Sequence, residues 1–157
     1  MGPAILKYAA SGLSREHEQT RIGPGAWSAA ELVTHLVDTD LVYADRMKRV
    51  IAEDNPPFLA FDPNAWLARH AANDASIPDA LALIAANRAW MMRILLTLND
   101  ADFGRVGIHS RDGRMTLAEV VARATHHLDH HLRFLYTKRS NLGVALPPRY
   151  ASEALTT

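Results

Sequence analysis

Apolar positions along this chain recur three and four residues apart in three long stretches, the spacing of an amphipathic helix. The first stretch opens at Ser28, followed by Ala29, Ala30 and Glu31. A serine with glutamate three positions on is a capping box, and the helix it starts can run to about Glu53. Its inner stripe reads Leu32, His35, Leu36, Thr39, Tyr43, Met47 and Val50. A second long helix starts near Pro78 and Asp79 and carries Leu81, Ile84, Ala85, Arg88, Met91, Met92 and Leu95 to about Leu98. The third begins with another capping box, Thr116 with Glu119, and ends near Lys138. Its stripe is Leu117, Val120, Val121, Ala124, Leu128 and Leu135.

Between these stretches Gly23-Pro24-Gly25, Asn55-Pro56-Pro57, Asp62-Pro63, Asp112-Gly113 and Pro147-Pro148 mark loops or element ends. A short helix is predicted from Asn64 to His70, and no segment alternates as a hairpin would. At the N-terminus Ile5, Leu6, Tyr8, Ala9 and Leu13 form a brief pattern that Gly12 interrupts, so the first helix is short or broken. The whole reads as an all-α four-helix bundle, one domain over residues 1–157, a form in which sites are built from inward-facing side chains on neighbouring helices.

The third helix carries four histidines in six residues: His126, His127, His130 and His131. Two overlapping pairs have the i,i+4 spacing that lets imidazoles converge on one ion. The stripe separates them, because His127 and His131 fall on it while His126 and His130 share the flank with Arg123 and Arg133. His35 is a third histidine on a buried stripe, from a different helix. Three histidines leave a coordination position open for water or substrate, whereas structural zinc sites are closed by four protein ligands. Imidazoles accept Zn or Ni, which stand first here, and Fe or Mn. The bland reading is a polar core of satisfied histidines. Leu128 follows His127 where the zincin motif needs glutamate, which disfavours metalloprotease chemistry.

Other polar residues are weaker candidates. Asp38, one turn after His35, is placed to orient an imidazole or act as a base; its alternative is an exposed helix carboxylate. Arg46 and Arg88 point either toward the bundle, to hold an anionic substrate group, or out to solvent. Trp27, Trp66 and Trp90 read as packing anchors, and Asp129 should face away from the ligand candidates.

Composition narrows the partners. Seventeen basic and seventeen acidic residues cancel, so there is no basic footprint for nucleic acid or an anionic membrane, and a small molecule is the expected partner. The chain has no cysteine, which leaves histidines and carboxylates to hold a metal. With no signal-peptide pattern and no run of membrane-span length, a cytoplasmic protein is expected.

The segment from Pro24-Gly25-Ala26-Trp27-Ser28 through His35-Leu36-Val37-Asp38 resembles the second helix of the DinB/YfiT-like superfamily. Phe61-Asp62-Pro63-Asn64-Ala65-Trp66 is similar to that family's Phe-Asp loop, and His127-Leu128-Asp129-His130-His131-Leu132 to its His-x-x-His-His-Leu segment. The three parts occur in the family's order between Leu13 and Leu142. The resemblance implies an up-up-down-down bundle, a divalent metal on His35, His127 and His131, and frequent homodimers. Members include thiol-dependent S-transferases and isomerases, proteins assigned as metal-dependent hydrolases, and many without a known reaction, so the fold leaves the chemistry open. Hydrolase-type chemistry on a small molecule through a metal-bound water is the leading expectation. A transferase or isomerase with a low-molecular-weight thiol cosubstrate and a non-catalytic metal-binding or stress-related module are the alternatives. The segment before Gly12-Leu13-Ser14 is shorter than the family's usual first helix, which leaves apolar surface for a second chain to cover.

Overall fold

The structure is a computed structural model describing residues 2–147; Pro148 and the outer ends of the expected 1–157 domain lie outside the described residues. In chain order the elements are α1 (Gly2–Ala10), α2 (Arg15–Gln19), α3 (Ala29–Ala52), β1 (Pro57–Phe58), α4 (Pro63–Arg69), α5 (Ile77–Leu95), β2 (Val106–His109), β3 (Gly113–Thr116) and α6 (Leu117–Asn141). Helix α3 packs on both α5 and α6, and α1 closes the bundle against those same two helices. The N-terminal helix is short, and a second short helix, α2, follows it after Gly12, which sits at φ 70° where glycine meets little steric cost.

Both predicted capping boxes form. The Ser28 N–H donates to Glu31 Oε2 at 2.8 Å while the Glu31 N–H donates to Ser28 Oγ at 3.1 Å. The Thr116 N–H likewise donates to Glu119 Oε2 at 2.7 Å. These caps start the two helices that carry the histidines, and so fix their phase.

The apolar interior is divided. One cluster gathers Leu6, Leu32, Val33, Leu36, Ile84, Leu128, Leu132 and Leu135, and the other Ala44, Met47, Val50, Phe58, Met91, Met115, Leu117 and Val120. Each long helix also carries polar residues close to where the two clusters meet: His35, Thr39 and Asp40 on α3, Asn87 and Arg88 on α5, and His127 on α6. Buried polar groups need partners. Here Arg88 Nε donates to Asp40 Oδ1 at 2.6 Å, Asn87 Nδ2 to Asp40 Oδ2 at 2.7 Å, and Arg88 Nη2 to the Ala124 carbonyl at 3.2 Å.

The expectation of no hairpin is corrected. Strands β2 and β3 pair antiparallel, with Val106 opposite Thr116 and His109 opposite Gly113, and β1 adds in parallel with Phe58 opposite His109. The alternation was present but inverted. Gly107 and His109 face inward, whereas the apolar Val106 and Ile108 stay partly or largely exposed, so hydrophobic periodicity hides the strand. Gly113 supplies the positive φ of 75° that the turn requires. Trp90 is also corrected: at 60% exposure it projects from α5 and is no packing anchor among the described residues.

Candidate metal centre

His127 and His131 stand one turn apart on α6, and His35 faces them from α3. The three rings offer nitrogens that all lie within 4.8 Å of one another. His35 Nε2 is 3.1 Å from His127 Nε2, and the His131 ring centroid lies 4.8 Å from that of His35 and 4.5 Å from that of His127. Two nitrogens bound to one tetrahedral zinc at ~2.0–2.1 Å are roughly 3.3 Å apart, so the measured separation matches two ligands of one ion. No carboxylate of the described residues joins the group.

Electrostatics favour the neutral, ligating form. Burial pulls each of the three imidazoles down to about 4, helped by His131 beside His35, by His35, His130 and Arg88 around His127, and by His127 and His130 around His131. At neutral pH all three lone pairs are therefore available. The buried Nδ1 atoms of His35 and His131 have no hydrogen-bond partner. Thr39 does not supply one, for its hydroxyl donates to the His35 carbonyl at 2.7 Å and only grazes Nε2 at 3.5 Å. Three neutral imidazoles whose ring nitrogens lie within 4.8 Å of one another suit a divalent ion.

Trp27 covers one side of the cluster. Its ring lies 4.8 Å from His35 and stacks on His131 at 6.1 Å and 14°. The indole Nε1 donates to Asn64 Oδ1 at 3.1 Å, and Lys138 Nζ donates to the Trp27 carbonyl, which locks the residue just ahead of the Ser28 cap. A cleft of about 320 Å³ lined by Trp27, His131, Phe134 and Lys138 reaches this side from solvent.

The remaining candidates separate. His126, His130 and Asp129 are exposed, as the helical phase required. Asp38 is half-buried and outside the histidine group; burial raises its carboxyl above the usual range, with His70 opposing. Arg88 is committed to Asp40, a partner that the sequence reading missed. Arg46 does turn inward, at 8% exposure. Trp66 packs on Phe61, with ring centroids 4.5 Å apart, at the edge of a cleft that also borders Asp38.

The DinB superfamily model matches residues 2–135, and the chain belongs to that superfamily. A Geobacillus kaustophilus protein is 30% identical over 142 residues, covering 90% of this chain and 80% of its own length. YfiT of Bacillus subtilis is 26% identical over 143 residues, again 90% of this chain and 80% of that protein. Both carry provisional names as metal-dependent hydrolases. The solved structure of Bacillus subtilis YfiT, described as "a probable metal-dependent hydrolase with an unusual four-helix bundle topology", superposes with a TM-score of 0.86 at 25% identity. The match covers 92% of this chain and 83% of that one. Among the described residues no helix is long and apolar enough to cross a membrane.

Proposed function

We propose that this protein is a metal-dependent hydrolase of a small molecule, with His35, His127 and His131 as the ligands of a divalent ion, Zn or Ni first. The convergence of three neutral imidazoles from two helices, with no fourth protein ligand among the described residues, carries the reading. A divalent ion held there supplies Lewis acidity and a water whose pKa is drawn toward neutrality. Trp27 shields His35 and His131 from bulk water, and Lys138 and Asn64 hold it in place. Asp38, one turn beyond His35 and raised by burial, is the group to accept a proton and return it to a leaving atom. In the same reading the protein is cytoplasmic and works as a homodimer, the latter supported by exposed Leu83, Trp90, Met92 and Leu96 on or just beyond α5.

Elemental analysis of protein purified without a tag or metal resin, followed by hydrolysis of an ester, amide and phosphoester panel, tests this. The expected result is close to one metal per chain, with metal and hydrolysis both lost in His35→Ala. Protein that takes up none of Zn, Ni, Fe or Mn would overturn the metal centre. Turnover seen only with an added low-molecular-weight thiol would replace hydrolysis by thiol transfer.

A further inference from the structure

The inward-turned arginines of this molecule are neutralised in different ways, and one of them has no carboxylate partner among the described residues. Arg88 holds Asp40 at 2.6 Å. Arg139 has no carboxylate, but three backbone carbonyls, those of Ala9, Ser11 and Ala145, accept from it at 3.1, 2.5 and 2.6 Å. Arg46 is 8% exposed and, among the described residues, donates to one carbonyl, that of Leu59 at 2.8 Å. Its guanidinium lies 5.5 Å from the Tyr43 ring centroid and 5.8 Å from that of Phe58. Among the described residues no carboxylate stands within ion-pair distance of it. Asp112 acts on it from further off, and that carboxylate is bound by Arg123 at 2.5 Å and Arg111 at 3.0 Å. A largely buried cation without a carboxylate partner is costly unless an anion completes it.

Arg46 faces a cleft of about 710 Å³ bordered by Asp38, Phe58, Leu59, Phe61 and Trp66. The cleft runs along α3 from Arg49 to Asp38. Asp38 follows His35 by one turn, and Arg46 follows it by about three turns, returning to nearly the same azimuth roughly 16 Å along the axis. Tyr43 links the two ends, because its ring centroid is also 6.4 Å from that of His127. The neighbouring cation Arg49 is paired with Asp45 at 2.8 Å, so one guanidinium fork is free in this cleft, the match for one carboxylate rather than a phosphate dianion. The tilted Phe61 and Trp66 rings offer an apolar wall to an aryl or alkyl body.

We propose that Arg46 is the receptor for a carboxylate group of the substrate, so that the molecule acted on at the histidines is a small organic acid lying along this cleft. The word substrate rests on the hydrolase reading above; the anion site itself does not.

Phenylacetate, its uncharged analogue 2-phenylethanol, and inorganic phosphate are titrated into the purified protein, with backbone amide and indole chemical shifts as the readout. Saturable phenylacetate binding that moves Trp66, Leu59 and Asp38, with the alcohol and phosphate at least roughly tenfold weaker, is expected. Arg46→Met should weaken phenylacetate by a similar factor and leave the alcohol unchanged, while Arg46→Lys keeps part of the affinity. His127→Ala should bind phenylacetate as wild type does. Equal affinity for acid and alcohol in wild type would overturn the proposal without recourse to any variant, and so would tighter binding of phosphate. Binding lost in His127→Ala but kept in Arg46→Met would move the carboxylate to the histidines and overturn it too, leaving the metal centre standing. Wild-type protein that takes up none of Zn, Ni, Fe or Mn and yet binds phenylacetate at Arg46 would instead overturn the hydrolase reading alone.

Discussion

His109 and the pair His35 and His131 are equally well buried, at 6% against 5% and 9% exposure, yet they are chemically unlike. His109 Nδ1 accepts the backbone N–H groups of Arg111 at 3.3 Å and Asp112 at 3.1 Å, so the ring is tied into the β2–β3 turn. His35 and His131 keep a buried nitrogen without a partner and share their space with His127. Burial lowers the pKa of all of them, and Arg46 adds to the effect at His109. Burial and a depressed pKa therefore do not mark a ligand. Ring nitrogens converging from separate helices do.

The largest expected effect breaks the comparison directly. His131→Ala should lose nearly all bound metal, because a two-histidine remnant holds an ion far more weakly than three. His109→Ala should keep its metal and lose only hairpin stability. Metal content of both variants after identical dialysis against a weak chelator is the measurement, and equal loss would abolish the distinction.

Arginines give a parallel contrast. Asp40→Ala leaves the partly buried Arg88 without its carboxylate and strips Asn87 of an acceptor, which should cost about 3 kcal/mol of unfolding free energy. Arg46→Met removes a cation that had no carboxylate partner and should cost less. Urea unfolding of the two variants, both metal-free, ranks them.

Acid should separate the two histidine environments next. An imidazole whose folded pKa of about 4 lies below its unfolded 6.5 takes up protons preferentially in the unfolded chain between those values. Stability of the chelated protein is thus fully present above pH 6.5 and falls as pH drops toward 4, by about 3 kcal/mol for the first histidine to charge. Replacing His35, His127 and His131 together by alanine should flatten that slope, whereas His109→Ala should leave most of it. Chemical denaturation at half-unit pH intervals tests both.

The histidine cluster was legible in the sequence because helical phase alone sorted His127 and His131 from His126 and His130, and because two capping boxes fixed where α3 and α6 begin. Residues whose partners lie far away in the chain were not legible. Asp40 meets Asn87 and Arg88 across 47 and 48 positions, and nothing near Asp40 announces that contact. Arg46 and Arg88 looked alike as sequence; only the packing shows one neutralised and the other bare. The hairpin escaped because the inward residues of β2 are glycine and histidine and β3 turns in only Met115, so the periodicity that reveals a strand was written in the wrong residues.

That inward glycine gives the smallest effect. A β-carbon at Gly107 would overlap the Phe58 ring, which is fully buried and packs in the apolar cluster at this end of the bundle. Phe58 belongs to β1 and pairs with His109, and its ring lies beneath the Arg46 guanidinium. Overpacking of this kind costs about 1–3 kcal/mol, here by pushing β1 away from β2. Gly107→Ala should therefore lower stability by that amount while metal content stays at the wild-type level, since no histidine ligand candidate touches the strand. Phe58→Leu introduced alongside it should restore part of the loss by making room for the new methyl group. A Gly107→Ala variant as stable as wild type would show that the hairpin end yields easily, and a variant that lost metal would join the two ends of the bundle that the histidines otherwise distinguish.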